Sequence, residues 1–293
     1  MAPIILKNGA ARAELLPHRG ALISQLSFVN EKPILWLPDN FDPKSSAWPG
    51  GGLPFLFPFA GRVQHQGEIY KYALGENVYP MPIHGFSWAT PWLVESARDD
   101  AVTLKLQSNE SSLAVYPFEF SILMKVRLAA TELRIEVSIN HIADSQINTR
   151  PKMPVAVGWH PYFSIEHQRT KLSIEAKTAF PVTALGMAGK PLAAADLLGN
   201  APWTLAKPEL QSLILGGLGQ CEACFESTAS SRVLLKAGPS DVMTHLVTWT
   251  NDEKAFLCVE PWMSRPDAVA TPSGCRWLSP GESLNAHLSI SAG

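Results

Sequence analysis

The chain has 293 residues, of which 46% are hydrophobic and 17% are charged, and its formal net charge is −2. A chain of this length buries roughly three quarters of its unfolded surface, and all-β folds of this size commonly form one domain, so we predict a single domain over residues 1–293. Because acidic and basic residues are mixed and nearly balanced, the sequence gives no electrostatic reason to expect nucleic-acid or anionic-membrane partners.

The start of the chain and its cysteines favour a cytoplasmic protein. Only a three-residue apolar run precedes Lys7, and no apolar run is long enough to span a bilayer, so neither a signal peptide nor a membrane segment is predicted. Four cysteines, at 221, 224, 258 and 275, are too few for a disulfide scaffold and are expected to be reduced. Cys221 and Cys224 form an isolated Cys-x-x-Cys pair, which we interpret as buried strand thiols rather than metal ligands.

Alternating apolar residues predict β-strands along most of the chain. Every even position from 118 to 128 is apolar, and after a break at 129–132 the alternation resumes from Leu133 to Ile139. This pattern predicts an antiparallel hairpin with one solvent-facing side. Shorter runs of the same kind occur at 102–106, 172–176, 233–236, 245–250, 255–259 and 284–290.

Helical patterns are scarce, and residues 185–198 are at most a short helix or a loop. Many short strands separated by Gly and Pro predict an all-β fold of packed antiparallel sheets, a sandwich or a barrel. Functional residues are then expected on long loops, and we predict such loops around 39–52 and 180–220.

One histidine stands in an unusually stiff setting. In the segment Met-Pro-Val-Ala-Val-Gly-Trp-His-Pro-Tyr-Phe at 153–163, Pro161 biases His160 toward an extended backbone. An imidazole held in this way is able to donate or accept a proton near neutral pH. The alternative is a core histidine with a satisfied hydrogen bond, which is the commoner case for an isolated histidine.

Three further stretches place polar residues beside Gly, Pro and aromatic residues. Arg62 follows the glycine- and proline-rich segment 50–61, His84 lies in Met-Pro-Ile-His-Gly-Phe-Ser-Trp at 81–88, and Glu260 ends the apolar run 256–259. Arg62 is either a donor for sugar or carboxylate oxygens or a surface cation. Glu260 is either a partly desolvated general base or a strand-end residue facing water. Tryptophans at 36, 48, 88, 92, 159 and 262 are candidate sugar platforms, although most are expected in the core.

Four of these segments resemble the aldose 1-epimerase (galactose mutarotase-like) family. They are Gly-Gly-Leu-Pro-Phe-Leu-Phe-Pro-Phe-Ala-Gly-Arg at 51–62, Ile-His-Gly-Phe at 83–86, Gly-Trp-His-Pro-Tyr-Phe at 158–163 and Cys-Val-Glu-Pro at 258–261. Their order and spacing match, and the resemblance covers nearly the whole chain. It implies a β-supersandwich with a concave sugar-binding cleft, and an isomerase that interconverts the anomers of a free aldohexose such as glucose or galactose. It implies a small sugar as partner and no metal or other cofactor; the sequence does not indicate the oligomeric state.

The resemblance also implies roles for five residues. Glu260 would be the general base that takes the O1 proton of the sugar, and His160 the general acid that protonates the ring oxygen O5. His84 and Arg62 would bind the sugar. The family's further hydroxyl-binding acid has its nearest match in Cys-Glu-Ala-Cys-Phe at 221–225, so Glu222 would replace an Asp. A second departure is Trp-Met-Ser-Arg at 262–265 in place of a more usual His-containing stretch.

Three alternatives stay open. A hexose-6-phosphate mutarotase of the same fold would need cations near the cleft. An Arg is expected soon after His-Gly-Phe in such relatives, where this chain has Ser87-Trp88, but Arg19, Lys44, Lys152 or Arg265 could supply one. A non-catalytic carbohydrate-binding module would use the same lining without turnover. A histidine-based metallohydrolase is disfavoured because no close His-x-His or His-Glu-x-x-His spacing exists.

Overall fold

The computed structural model of the chain describes residues 2–29, 32–142, 151–166, 169–199, 202–205, 211–230, 232–251, 255–271 and 273–292. In the first half the strands are β1 (Ile4–Asn8), β2 (Ala11–Leu16), β3 (Leu22–Ser27), β4 (Phe55–Leu56), β5 (Gln64–His65), β6 (Glu68–Ile69), β7 (Lys71–Leu74), β8 (Asn77–Pro80), β9 (Leu93–Arg98), β10 (Ala101–Gln107), β11 (Phe120–Leu128) and β12 (Glu132–His141). In the second half they are β13 (Met153–Val155), β14 (Gly158–Trp159), β15 (Tyr162–Ser164), β16 (Lys171–Ser173), β17 (Thr178–Pro181), β18 (Leu192–Ala193), β19 (Trp203–Thr204), β20 (Ser212–Gly216), β21 (Cys221–Phe225), β22 (Val233–Gly238), β23 (His245–Thr250), β24 (Phe256–Trp262), β25 (Arg276–Leu278) and β26 (Ser283–Ala292).

Helices in the described ranges are short. The α-helices are α1 (Glu110–Val115) and α2 (Ala194–Leu198), and 3₁₀ turns occupy Pro17–Arg19 and Ser87–Ala89. Across these ranges we find no helix with the length and apolar character that a membrane crossing requires.

Two large antiparallel sheets organise the fold. One has nine strands in the order β19-β16-β21-β22-β26-β12-β11-β10-β9, and the other has eight in the order β18-β17-β20-β23-β24-β14-β4, with β15 also pairing with β24. A three-stranded sheet β1-β2-β3 and the small pairs β5-β6, β7-β8 and β13-β25 complete the set. The all-β prediction is therefore confirmed.

The main hydrophobic core draws residues from both large sheets. Ile122 and Ile135 of the nine-stranded sheet belong to the same buried cluster as Leu213 and Val259 of the eight-stranded sheet. This cluster leaves the opposite face of the eight-stranded sheet free to carry the candidate site. The division into domains is not decided by this packing, and the single domain over 1–293 stays a prediction.

Several local predictions are confirmed, and one is partly wrong. The alternation at 118–139 forms the β11–β12 hairpin, with Leu128 opposite Leu133. The expected long loop at 180–220 instead contains β18, α2, β19 and β20 within its described residues. Helix α1 was not predicted, because a six-residue helix is too short for a periodic pattern; a capping box between Asn109 and Ser112 starts it.

Candidate active site

Glu260 lies inside a strand rather than at its end. It is the fifth residue of β24, and its carboxyl-bearing side chain shares a face with Cys258 and Trp262, because side chains alternate along a strand. Leu257 and Val259 point the other way, into the main core. Only 2% of Glu260 is exposed, so the prediction of a solvent-facing strand end is wrong and that of a desolvated carboxyl group is supported.

His160 meets Glu260 from the neighbouring segment. It connects β14 to β15, and its backbone N–H donates to the carbonyl of Pro54 at 3.0 Å. Its Nε2 atom lies 3.3 Å from Oε2 of Glu260. The structure thus brings together two residues that are a hundred positions apart in the sequence.

Burial controls the protonation of this pair. It raises the pKa of Glu260 well above the ordinary value for a glutamate and lowers the pKa of His160 well below the ordinary value for a histidine. Burial disfavours every form with a net charge, so it favours the pair with a single proton, whether that proton sits on the carboxyl or the imidazole group. A pair that holds one proton is suited to giving one and taking one in the same reaction.

His84 is held as a neutral hydrogen-bond donor. The backbone N–H of Gly61 donates to its Nδ1 atom at 3.1 Å, so the ring proton must be on Nε2. Burial, with a smaller effect of Arg62, lowers the pKa of His84 to about 3. Its ring packs 5.1 Å from that of His160, measured between centroids, which places a neutral donor beside the His160–Glu260 pair.

Arg62 lies at the cavity wall under the turn that follows β17. Its Nη1 atom donates to the carbonyl of Leu185 at 2.6 Å, and its guanidinium group lies 5.6 Å from the ring centroid of Tyr70. A Cβ atom on Gly186 would come 3.0 Å from Nη1, so this turn packs closely over the guanidinium group. The two contacts leave Nε of Arg62 buried without a hydrogen-bond partner.

One cavity of about 320 Å³ is lined by Arg62, His84, His160 and Glu260. The other lining residues are Trp48, Gly61, Ile83, Tyr162, Val182, Gly186, Ser212, Ile214, Val247, Trp249, Trp262 and Pro266. Apolar walls with a few convergent polar groups are typical of small-molecule sites. A volume of this size suits a monosaccharide.

Buried polar atoms without partners surround the cavity. They include Nδ1 of His160 and Nε of Arg62. Buried polar groups in proteins are nearly always hydrogen-bonded, and exceptions require an explanation. A polyhydroxylated ligand offers both donors and acceptors at this position.

Glu222 is not brought to the cavity. It lies on β21 of the nine-stranded sheet, and its Oε2 atom pairs with Nζ of Lys236 at 3.0 Å, with both side chains about half exposed. On the same strand, Cys221 is buried and Cys224 is partly exposed, on opposite faces, and both are free thiols. Cys221 is thus the buried strand thiol that the sequence predicts, whereas Cys224 departs from that prediction.

The four lysine and arginine residues that were predicted as possible phosphate ligands do not line the cavity either. Arg19 is buried and donates to the carbonyl of Ala47, while Lys44 and Lys152 are exposed on the surface. Arg265 packs 4.7 Å from the ring centroid of Phe180, next to the lining residue Pro266. Among the residues that the structure describes, no lysine or arginine other than Arg62 lines the cavity.

Sequence reasoning missed part of the aromatic lining. Tyr162 stacks on His160, and Trp249 is 37% exposed at the cavity rim. Trp249 alternates with the core residues of β23, so its outward position was readable from the strand pattern at 245–250. Of the candidate platforms, Trp48 and Trp262 do line the cavity, whereas Trp92 and Trp159 are fully buried in the core.

Solved structures share this fold over the full chain. The Slr1438 protein from Synechocystis sp. PCC 6803 is 25% identical, with a TM-score of 0.82, and the match covers 99% of this chain and 95% of that one. A galactose mutarotase-like protein from Lactobacillus casei is 22% identical, with a TM-score of 0.82 and complete coverage of both chains. The prediction of a galactose mutarotase-like β-fold is confirmed.

Sequence comparisons agree with the fold. A Salmonella typhimurium protein provisionally named glucose-6-phosphate 1-epimerase is 28% identical over 123 residues, which are 40% of this chain and 37% of that protein. The alignment therefore spans little more than a third of the relative's length. The protein-family model described as aldose 1-epimerase matches residues 4–291 of this chain. The chain belongs to the aldose 1-epimerase family.

Proposed function

We propose that this enzyme interconverts the α- and β-anomers of a free aldohexose by general acid–base catalysis. The observation that carries the proposal is the 3.3 Å separation between Nε2 of His160 and Oε2 of Glu260 at the cavity wall. An acid and a base this close reach two neighbouring oxygens of one hemiacetal. Sugar binding alone does not require such a pair.

The reaction opens and recloses the sugar ring. With the single proton of the pair on His160, ionised Glu260 accepts the proton of the O1 hydroxyl while His160 donates its proton to O5, and the C1–O5 bond breaks. The resulting aldehyde turns about the C1–C2 bond. His160 then takes the proton back from O5 as that oxygen attacks the other face of C1, and Glu260 returns a proton to O1.

The remaining lining positions the sugar. The Nε2–H group of His84 and the guanidinium group of Arg62 are donors for sugar oxygens, and Trp249 offers an aromatic face to the C–H face of a pyranose. Positioned proton transfer typically contributes 10²–10⁴-fold to a rate. That is sufficient for a reaction that also proceeds unaided in water.

Polarimetry of freshly dissolved α-glucose and α-galactose tests the proposal. We expect the enzyme to accelerate mutarotation, and E260Q and H160N each to remove most of the acceleration, by roughly 10²-fold or more. Both variants keep polar side chains of similar size, and circular dichroism checks their folding. Wild-type turnover in either variant would contradict the assignment, and sugar binding without any turnover would indicate the binding module.

A hexose 6-phosphate is the second candidate substrate. The provisional names of the Salmonella relative and of an Escherichia coli relative support it, as does Arg62 at the cavity wall. Arg265 precedes the lining residue Pro266 in the sequence. The discriminating experiment compares kcat/KM for glucose and glucose 6-phosphate. If the enzyme prefers glucose 6-phosphate and this preference is lost in R62K and R265M, the substrate is the hexose 6-phosphate and not the free sugar.

The cytoplasmic location stays a prediction from the sequence.

A further inference from the structure

A thiol lies directly behind the acid–base pair. Cys258 precedes Glu260 by two positions on β24, so both side chains leave the same face of the strand. In the register of the sheet, Cys258 is opposite Trp249 on one side and Tyr162 on the other. Both neighbours line the cavity, whereas Cys258 lies beneath them and is fully buried.

Three metal-ligating side chains therefore meet at one point. One ligating atom from each of His160, Cys258 and Glu260 lies within 4.8 Å of the other two, and all three residues are at least 95% buried. Nε2 of His160 faces Oε2 of Glu260 at 3.3 Å, and Nδ1 on the other side of the imidazole ring has no hydrogen-bond partner. The structure thus holds a buried nitrogen–oxygen–sulfur set, two members of which, His160 and Glu260, line the cavity.

The spacing suits a tetrahedral ion. Zinc binds nitrogen and oxygen at roughly 2.0–2.1 Å, which places two such ligands about 3.3–3.4 Å apart in a tetrahedron. The separation between Nε2 of His160 and Oε2 of Glu260 is 3.3 Å. The sulfur of Cys258 lies within 4.8 Å of the other two ligating atoms and has to move closer to coordinate the same ion. Three protein ligands with an open fourth position form a familiar zinc arrangement.

We propose that His160, Cys258 and Glu260 form an inhibitory binding site for a thiophilic divalent cation of the zinc class. Binding breaks the S–H bond of Cys258, releases its proton to solvent and directs a sulfur lone pair to the metal, with no change of oxidation state. A proton held by the His160–Glu260 pair leaves as well. Because protons are released, the affinity for the metal increases with pH.

Inhibition follows from the shared atoms and depends on the proposed acid–base roles. A coordinated imidazole has no proton to give to O5, and a coordinated carboxylate is a poor acceptor for the O1 proton. The sugar and the ion also compete for the same end of the cavity. We therefore expect the metal to inhibit competitively and a chelator to restore the full rate.

The site is tested first without any activity measurement. Cd²⁺ is titrated into the full chain while the thiolate-to-cadmium charge-transfer absorption in the ultraviolet is recorded. We expect one equivalent of Cd²⁺ to saturate this absorption in the wild-type protein and in C275A, whose buried thiol lies elsewhere, and C258A to lose it. An unchanged signal in C258A, or no signal at one equivalent in the wild type, would overturn the site.

Zinc inhibition of mutarotation is the second test. Cys258 does not line the cavity, so C258A and C258S should keep the metal-free rate. Losing a ligand should raise the half-inhibiting Zn²⁺ concentration roughly tenfold or more. Even the loss of a hydrogen-bond partner outside the coordination shell lowers metal affinity by roughly 10–100-fold. Equal inhibition of the wild type and both variants would overturn the proposal. Failure of mutarotation itself, with the cadmium signal intact, would instead contradict the proposed function.

Discussion

The ring of Tyr162 lies parallel to the imidazole ring of His160, with the centroids 4.7 Å apart and the planes inclined by 14°. The hydroxyl group of Tyr162 accepts a hydrogen bond from Nε1 of Trp48 at 3.1 Å, and the Trp48 ring packs edge-on against His160. Two aromatic rings thus hold His160, the proposed general acid, from two sides. Neither ring needs to touch the sugar to affect the rate.

Removing this support should slow the reaction. We expect Y162A to lower kcat by roughly 10²-fold, because small misplacements of a catalytic group have effects of that size. Y162F keeps the ring and loses only the hydrogen bond from Trp48, so its kcat should stay within a few-fold of the wild type. Steady-state mutarotation kinetics check both. Equal losses in Y162A and Y162F would show that the hydroxyl group, and not the stacking, is what matters.

The pH dependence of kcat/KM should show a broad plateau. Adding a second proton to the His160–Glu260 pair, or removing its last one, creates a buried net charge, and burial lowers the pKa of His160 and raises the pKa of Glu260. The acid limb should therefore lie below the ordinary pKa of His, about 6.5, and the alkaline limb above the ordinary pKa of Glu, about 4.3. Initial rates across the pH range, corrected for the uncatalysed reaction, test this. An acid limb above the first value or an alkaline limb below the second would contradict it.

His84 should weaken the fold in acid. Its pKa is about 3 in the folded chain against an ordinary 6.5, so the unfolded chain binds the proton more readily and the free energy of unfolding falls as the pH drops below 6.5. Between pH 6.5 and 4.5 this loss is about 2 kcal/mol for one residue. In H84N the side-chain oxygen replaces Nδ1 as the acceptor. Over the same pH interval the free energy of unfolding of H84N should fall by about this much less than that of the wild type. Denaturant titrations at several pH values measure the difference, and parallel curves would contradict it.

Gly186 should affect substrate binding through Arg62. Its φ angle is +73°, and a Cβ atom there would push against the guanidinium group. We expect G186A to raise KM several-fold with little change in kcat. G75A is the matched control, because Gly75 also has a positive φ but no atom within 4 Å of an added Cβ. Both variants carry a similar backbone strain of about 1–2 kcal/mol, so an equal rise in KM would rule out the effect through Arg62.

Glu222 should be dispensable for catalysis. The structure places it on the nine-stranded sheet in a half-exposed ion pair with Lys236, and such pairs contribute at most about 1 kcal/mol. E222Q should leave KM and kcat unchanged and lower the free energy of unfolding only slightly. Kinetics with the preferred sugar, paired with thermal unfolding, check this. A large rise in KM would restore the sugar-binding role that the family resemblance implied.

The sequence by itself determined the fold class and the chemistry-bearing segments. Alternation marks the β11–β12 hairpin because one face of each strand must be buried, and this signal is local. The proline after His160 and the apolar run before Glu260 are local signals too. They identify which side chains are unusual, and the order of the four motifs identifies the family.

Only the tertiary structure decided which of these side chains meet. Strand pairing joins β15 to β24 and so brings His160 to Glu260, whereas the strand that carries Glu222 joins the other sheet. The burial that shifts both pKa values also comes from residues far away in the chain, Trp48 against His160 among them. Periodicity reports which way a side chain points along its own strand, but the pairing of strands far apart in the chain depends on how the whole core packs.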